Sequence, residues 1–545
     1  MRNTTHFIAL VLICCLFQSR IAVAQKAKKE KTLTAEEAKE VKKMAESDFA
    51  SGNFNAALPE YLSLVKSDPQ NLEFNFRLGF CYLKANANKA NAADYLEKGI
   101  APKDKTKENK FYLGLGYHYA KRWDDAIEKY GEYKSAGGKA MKGFLDPGRL
   151  MEMCENGQEL EAGPSVKVTF QNLGKMINTP NDEYTPMVSG DGRSLVFSSR
   201  RKGNLGLGTE EVSFPADVFL TSFKDSSGWA KAKGAGVNIN TDGDEEVAGI
   251  NPNADVMLIN LNNASGANDL AMSMMKGKSY QKFSLLASLN NPKFPETSAC
   301  LSNDGRTLYF SADMTDKDKK GGQGGFDIYM SRLEDNGSWS KPENLGPDVN
   351  SFYDDKFPFL SVDGRTLYFA SQGFNSMGGF DIFKTTFDDN TETWSEPMNL
   401  GAPINTPDDE TSFSVTGTGR EAFMAIARDD GMGERDIYKL SFEDETVAPF
   451  MTVIKGKVII TTSPKASFDK VELKDKKTGK VVCAFGTPSL NTTKEYLLAA
   501  PAGDYELSVS GSGFNTYTED ISLTANAAEV MIKDITVGAV ATKQE

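Results

Sequence analysis

Residues 301–346 open LSNDGRTLYFSA, pass through GGQGGFDIYMS and close with GSWSKPENLG; from Leu360 the same phrases return in the same order as LSVDGRTLYFAS, GGFDIFK and TWSEPMNLG. Repetition of this length and order marks a repeat array. Three markers run in phase through it. One is a hairpin turn: Asp191-Gly192, Asn253-Ala254-Asp255, Asp304-Gly305, Asp363-Gly364 and Gly417-Thr418-Gly419. Another is an aspartate followed by two apolar residues, at Asp217, Asp269, Asp327, Asp381 and Asp436. The third is an aromatic opening a last strand, at Trp229, Phe283, Trp339 and Trp394.

Each marker has a physical task. Asp-Gly suits the tight turn between antiparallel strands. Apolar runs such as Leu308-Tyr309-Phe310 and Leu367-Tyr368-Phe369 suit burial between neighbouring sheets. The aspartate can accept backbone N–H bonds and fix the entry of the next strand, and the tryptophan fills space between sheets. Four strands in a period of about 55 residues make one propeller blade. The array stops near Phe442, short of a complete last strand. It starts with VKVTFQNLGKMINTP, whose Asn172-Leu173-Gly174 matches Asn344-Leu345-Gly346 and Asn399-Leu400-Gly401. The start therefore supplies the strand that the end lacks, which closes a ring of five blades over residues 165–445 and protects its edges.

Working outward, residues 44–162 carry a helical pattern. Small residues (Ala45, Gly52, Ala57) alternate with aromatics (Phe54, Tyr61), and Asp68-Pro69 ends a helix pair. Leu78-Gly79, Tyr82 and Tyr95 continue this, then Leu115-Gly116, Tyr119, Ala126 and Tyr130, with a capping helix expected over 151–160. Residues 25–43 are a charged lead-in. Residues 1–24 read as an export signal: Arg2, an apolar run too short to span a bilayer, and Ala22-Val23-Ala24 before Gln25, so cleavage is expected between Ala24 and Gln25. Lipidation at Cys14 or Cys15 is the alternative. After Glu445 a small β domain is expected over 450–535, with turns at Gly479 and Pro501-Ala502-Gly503-Asp504, and 536–545 as a tail. The fold class is thus multidomain, α followed by all-β.

With 545 residues, more than one core is expected. The net charge of −13 argues against nucleic acid and anionic lipid as direct partners. The chain has two histidines, His6 and His118, and neither lies in the β region. That excludes a Ser-His-Asp hydrolase or a His-based zinc site there, and Cys300 has no histidine partner. Cys81, Cys154, Cys300 and Cys483 lack metal-ligand or disulfide spacing and read as buried apolar residues. Carboxylate chemistry survives this count, because glycosidases need only a placed acid pair. However, Asp182-Glu183, Glu245-Glu246, Asp354-Asp355 and Asp409-Glu410 recur at corresponding places, as structural caps would. Loop 313–320 lacks calcium-loop spacing, and the glycine runs at 321–325 and 378–379 are not phosphate loops. No catalytic residue, metal or cofactor is expected.

The phrases S-x-D-G-R-x-L-Y-F, G-G-x-D-I-[YF] and W-S-x-P-x-N-L-G, with N-T-P-x-D-E at 178–183 and 405–410, resemble the TolB-type WD-like propeller repeat. The helical segment resembles the tetratricopeptide repeat. That resemblance implies a concave groove faced by Phe76, Phe80 and Tyr117; the alternative is that these aromatics only pack helix on helix. Residues 450–535 resemble the carboxypeptidase regulatory-like (transthyretin-like) sandwich. The order of parts resembles the PorE-like periplasmic proteins of Bacteroidetes, linked to type IX secretion and gliding. This implies a non-enzymatic scaffold in the periplasm, attached to an outer-membrane complex, with envelope proteins as partners and no membrane span. The OmpA-like domain usual in that family does not follow, so direct peptidoglycan binding is not expected. A carbohydrate-binding or carbohydrate-active propeller is the alternative, and a TolB-like partner of a lipoprotein a third reading.

Overall fold

A computed structural model describes residues 33–85, 88–206, 214–262, 268–291, 294–314, 324–461, 465–486, 494–524 and 529–538. The expected signal, its Ala24–Gln25 cleavage point, Cys14 and Cys15 and residues 539–545 of the expected tail lie outside them; the tail's first residues, Thr536 and Val537, instead extend the strand Ile535–Val537 of the β module. Two compact units divide at Gly148.

The first unit is helical: α1 (Ala35–Ala50), α2 (Phe54–Ser67), α3 (Leu72–Lys84), α4 (Ala92–Gly99), α5 (Lys107–Tyr119) and α6 (Trp123–Ser135), packed as consecutive pairs. Thr34 caps α1 in a reciprocal bond with Glu37, and Asn53 and Asn71 cap α2 and α3. Small residues let the helices close up. A Cβ on Gly79 would lie 2.7 Å from Leu96, one on Gly114 2.8 Å from Tyr130 and one on Gly116 3.0 Å from the backbone of Ala93. The helix foreseen at 151–160 is present as α7 (Pro147–Ala162). From Arg149 onward it belongs with the second unit: Arg149 donates to the carbonyls of Gln372 and Phe374, and Asn156 to that of Ser376.

The second unit contains five antiparallel sheets of one design. Their three long strands are Glu183–Val188, Ser194–Ser199 and Asp217–Lys224; Asp244–Ile250, Val256–Asn262 and Asn268–Lys276; Glu296–Leu301, Thr307–Ala312 and Asp327–Arg332; Asp355–Leu360, Thr366–Ser371 and Asp381–Asp388; and Phe413–Val415, Glu421–Ile426 and Asp436–Phe442. Short outer strands complete the first four. The fifth is completed by Val168–Asn172, which pairs antiparallel with Asp436–Phe442, Asn172 opposite Tyr438. The first strand of each sheet neighbours the next sheet's first strand, and the fifth returns to the first, so the five form a ring.

Each repeated phrase is put to one use. In the S-x-D-G-R hairpins Asp191, Asp304 and Asp363 accept the N–H of Arg193, Arg306 and Arg365, and Gly192, Gly305 and Gly364 take φ of 70°, 67° and 74°. Trp229 meets Phe423 of the fifth sheet edge-on at 5.8 Å, and Trp394 meets Tyr309 of the third at 6.2 Å. Asp217, Asp381 and Asp436 accept the N–H of Leu205, Met377 and Met432.

A second β module follows. One sheet joins Glu495–Ala500, Thr452–Ile460, Val530–Ile532 and Ile535–Val537; the other joins Val481–Gly486, Ser467–Asp475, Gly503–Ser512 and Tyr517–Leu523. They share one core, with Val453, Val471, Tyr496, Leu498 and Leu507 fully buried. The module is seated on the hairpin turns of all five sheets. A Cβ on Gly190 would touch Leu497, and one on Gly417 would touch Val453. Asn253 donates to the carbonyl of Glu495, and Asn303 to those of Ala484 and Leu497. Val362 joins the module's core, and its carbonyl accepts from the Cys483 thiol. Lys455 pairs with Asp191 at 2.7 Å.

Candidate functional site

The first strand of each sheet runs from its leading acid toward the hairpin turn. The turns lie under the β module, so the leading acids lie at the other end of the ring. Two sets of side chains gather there.

The first set recurs in every sheet. An asparagine ahead of each first strand clamps the aspartate-led strand of the preceding sheet. Asn178, Asn240, Asn290, Asn350 and Asn405 each take an N–H and give an amide hydrogen to the carbonyl of Ile437, Val218, Leu270, Ile328 and Ile382 in turn, all at 2.7–3.1 Å. The leading acids then bond their own loops. Glu183 accepts from Thr179 N–H and hydroxyl, Glu245 from those of Thr241, Asp355 from those of Ser351 and Glu410 from those of Thr406, while Glu296 accepts the N–H of Asn291. Glu183, Glu245, Asp355 and Glu410 are among the foreseen recurrent carboxylates; Glu296, at the same place in its sheet, was not foreseen, and all five are buried.

The second set differs from sheet to sheet. Tyr184 donates to Glu246 at 2.7 Å; Arg200 bridges Asp244 and Glu246 at 3.1 and 3.0 Å; Arg435 forks onto Asp182 and lies over the Tyr184 ring at 5.0 Å. Burial lifts the Tyr184 phenol well above its ordinary range. Burial opposes charge on Arg435 and Arg200, yet their acidic neighbours, with Tyr184, outweigh it and raise both. Across the ring, Lys356 sits over Phe326 at 3.7 Å and Phe380 at 5.6 Å, and pairs with Asp354 at 3.3 Å. Phe352, two residues before Asp354 in the chain, is 82% exposed. Thr185 and Phe357 hold left-handed φ of 49° and 56° at bulges, each just before a proline, a conformation that costs energy in a non-glycine residue.

This end offers half-buried aromatic rings and cations, with Asp182, Asp244, Glu246 and Asp354 each matched by a guanidinium or ammonium. Among the described residues no group of three or more His, Cys, Asp or Glu is arranged to hold a metal. Cys81, Cys154, Cys300 and Cys483 are buried free thiols.

In the helical unit, Phe76 and Phe80 come together. They join Phe49, Phe54 and Tyr112 in a half-buried aromatic cluster with centroids 5.0–6.5 Å apart. Tyr117 is not part of it. It is buried, donates to Glu97 at 2.7 Å and carries Arg122 over its ring at 4.0 Å. Five residues along a helix turn the side chain by about 140°, so Tyr112 holds the place on this face that Tyr117 was expected to fill.

No protein-family model matches the chain, and no curated protein matches it. Among solved structures, a TolB-type protein from Agrobacterium tumefaciens is 15% identical with a TM-score of 0.28, covering 63% of this chain and 99% of that one. TolB from Acinetobacter baumannii is 12% identical with a TM-score of 0.32, covering 58% and 83%. Levansucrase from B. subtilis is 9% identical with a TM-score of 0.38, covering 54% and 92%. The neighbours thus include TolB-type β-propellers, and the described part of this chain is a helical region followed by a large all-β region. No described helix is long and apolar enough to cross a membrane.

Proposed function

We propose that this chain is a non-enzymatic scaffold of the cell envelope, a PorE-like protein whose helical repeats, five-bladed propeller and transthyretin-like module position other envelope proteins in the periplasm. Association with an outer-membrane complex such as the type IX secretion machinery belongs to the same reading. The observation that carries it is the use to which the acids are put: the recurrent carboxylates Glu183, Glu245, Asp355 and Glu410 bond their own loops, and Asp182, Asp244, Glu246 and Asp354 are each paired with a cation. General acid–base work needs a carboxyl free to exchange its proton with a substrate. Two surfaces remain for partners: the aromatic cluster of the helical unit, and the ring end away from the β module.

In-cell cross-linking read by mass spectrometry tests it. Cross-links from Lys356 or from the lysines of α1 and α3 to other envelope proteins are expected. Recovery of self-links alone overturns the scaffold reading. The carbohydrate reading is favoured by Phe326 and Phe380 beside Lys356, a ring-and-charge pattern that suits a sugar face. A glycan array together with a hydrolysis screen decides it, and silence in both removes it.

A further inference from the structure

Each pair of neighbouring sheets meets at two acids. The leading acid donates its N–H to the carbonyl just before the preceding sheet's aspartate: Glu245 to Ala216, Asp355 to Phe326, Glu410 to Phe380 and Glu183 to Arg435, at 2.7–3.1 Å. This bond seats Glu245 beside Asp217, Asp355 beside Asp327, Glu410 beside Asp381 and Glu183 beside Asp436, and none of the eight is more than 4% exposed. Every junction also holds a buried carboxylate oxygen without a partner: Asp217 Oδ1, Glu296 Oε2, Asp355 Oδ1, Asp381 Oδ1 and Asp436 Oδ1. Two buried carboxylates side by side cannot both keep their charge, and an orphan acceptor lacks one donor. One proton answers both needs.

The Glu183–Asp436 junction adds a cation, although burial still holds the Glu183 carboxyl above its ordinary range. Arg201 lies against Glu183 at 3.2 Å, with its guanidinium 4.1 Å from the Phe219 ring centre. The other leading acids have no ion pair of this kind among the described residues. Asp217 faces Glu245 and Asp244, Asp355 faces Asp327, and Glu410 faces Asp381 and Asp408; Asp381 also feels Arg149 from α7.

We propose that at Asp217–Glu245, Asp327–Asp355 and Asp381–Glu410 the two carboxyls share one proton, so that these junctions of the ring are closed by protons and loosen as pH rises. The orphan oxygen accepts the O–H of the protonated partner, and no other bond changes. Burial pushes Asp217 up to about 6, Asp355 to about 7 and Asp381 to about 8, and holds Glu410 well above its ordinary range. Glu296, beside Asp269, is pushed to about 8 in the same way. A raised acid in the fold gives stability that is complete below the unfolded carboxylate range and is lost as pH climbs through the folded value. The window here runs from about pH 4.5 to 8.

The test is unfolding of the full chain across that window. Calorimetry in buffers of different ionisation enthalpy should show protons released on unfolding at pH 6, and stability should fall from pH 5 to 8. Asp381→Asn supplies an N–H in place of the proton, so its unfolding constant should lose about a tenfold dependence per pH unit relative to the parent. Asp217→Asn tests a separate junction should the first variant not fold. No proton release from the parent, or slopes unchanged in both variants, overturns the proposal. So does stabilisation by calcium at pH 8 that Asp381→Asn abolishes, which would make the shared species a metal ion.

Discussion

At the scale of single residues, asparagine and carboxylate side chains take the place of backbone pairing where one sheet passes to the next. Asn405 is fully buried, takes the Ile382 N–H at 2.8 Å, and gives its amide hydrogens to Ile382 O and to Asn399 Oδ1. Asn405→Ala orphans a buried donor and acceptor together, and should cost about 3 kcal/mol in urea unfolding. The clamp was partly legible. Asn178 and Asn405 open the N-T-P-x-D-E phrases, but Asn240, Asn290 and Asn350 stand in divergent surroundings, so the series emerges only when counted from the aspartate marker. Tyr184, Arg200, Lys356 and Arg435 were not legible. They occupy equivalent or adjacent places in different sheets with different residue types, and a search for repetition passes over what varies.

At the scale of elements, small residues set how close two surfaces come. Gly114 of α5 faces the Tyr130 ring of α6, where a Cβ would come to 2.8 Å. Gly114→Val overfills that contact, and thermal unfolding followed by helical circular dichroism should show a loss of about 2 kcal/mol. The first β-strand works otherwise. Val168–Asn172 covers the last edge of the fifth sheet, so a chain beginning at Asn178 leaves Asp436–Phe442 bare. Exposed edges pair with other chains, and size-exclusion chromatography should show that chain associating where the full one does not. This closure was readable from phase alone, because Asn172-Leu173-Gly174 repeats the outer-strand phrase of the third and fourth sheets. The face of α5 was harder to read. Tyr112 and Tyr117 are both aromatic on one helix, and only packing against Glu97 and Arg122 on one side and Phe80 on the other tells them apart.

At the scale of the molecule, the ring and the β module belong to one compact unit. Leu497 and Val453 rest against Gly190 and Gly417, and Lys455 reaches Asp191. Leu497→Ala should lower the stability of ring and module together by about 3 kcal/mol, seen as one shifted transition in calorimetry rather than two separated ones. Separate transitions would show the module melting alone. What the sequence determined by itself is what repeats: sheet count, hairpin turns, strand order and the closing strand follow from local spacing, because each depends on residues near one another in the chain. What only the tertiary structure decided is where distant segments meet: the β module on five hairpins, the acid pairs at the junctions and the cations at the ring end away from the module. These pairings join residues tens to hundreds of positions apart, and burial, which turns an ordinary carboxylate into one that holds its proton, is a property of the packed whole.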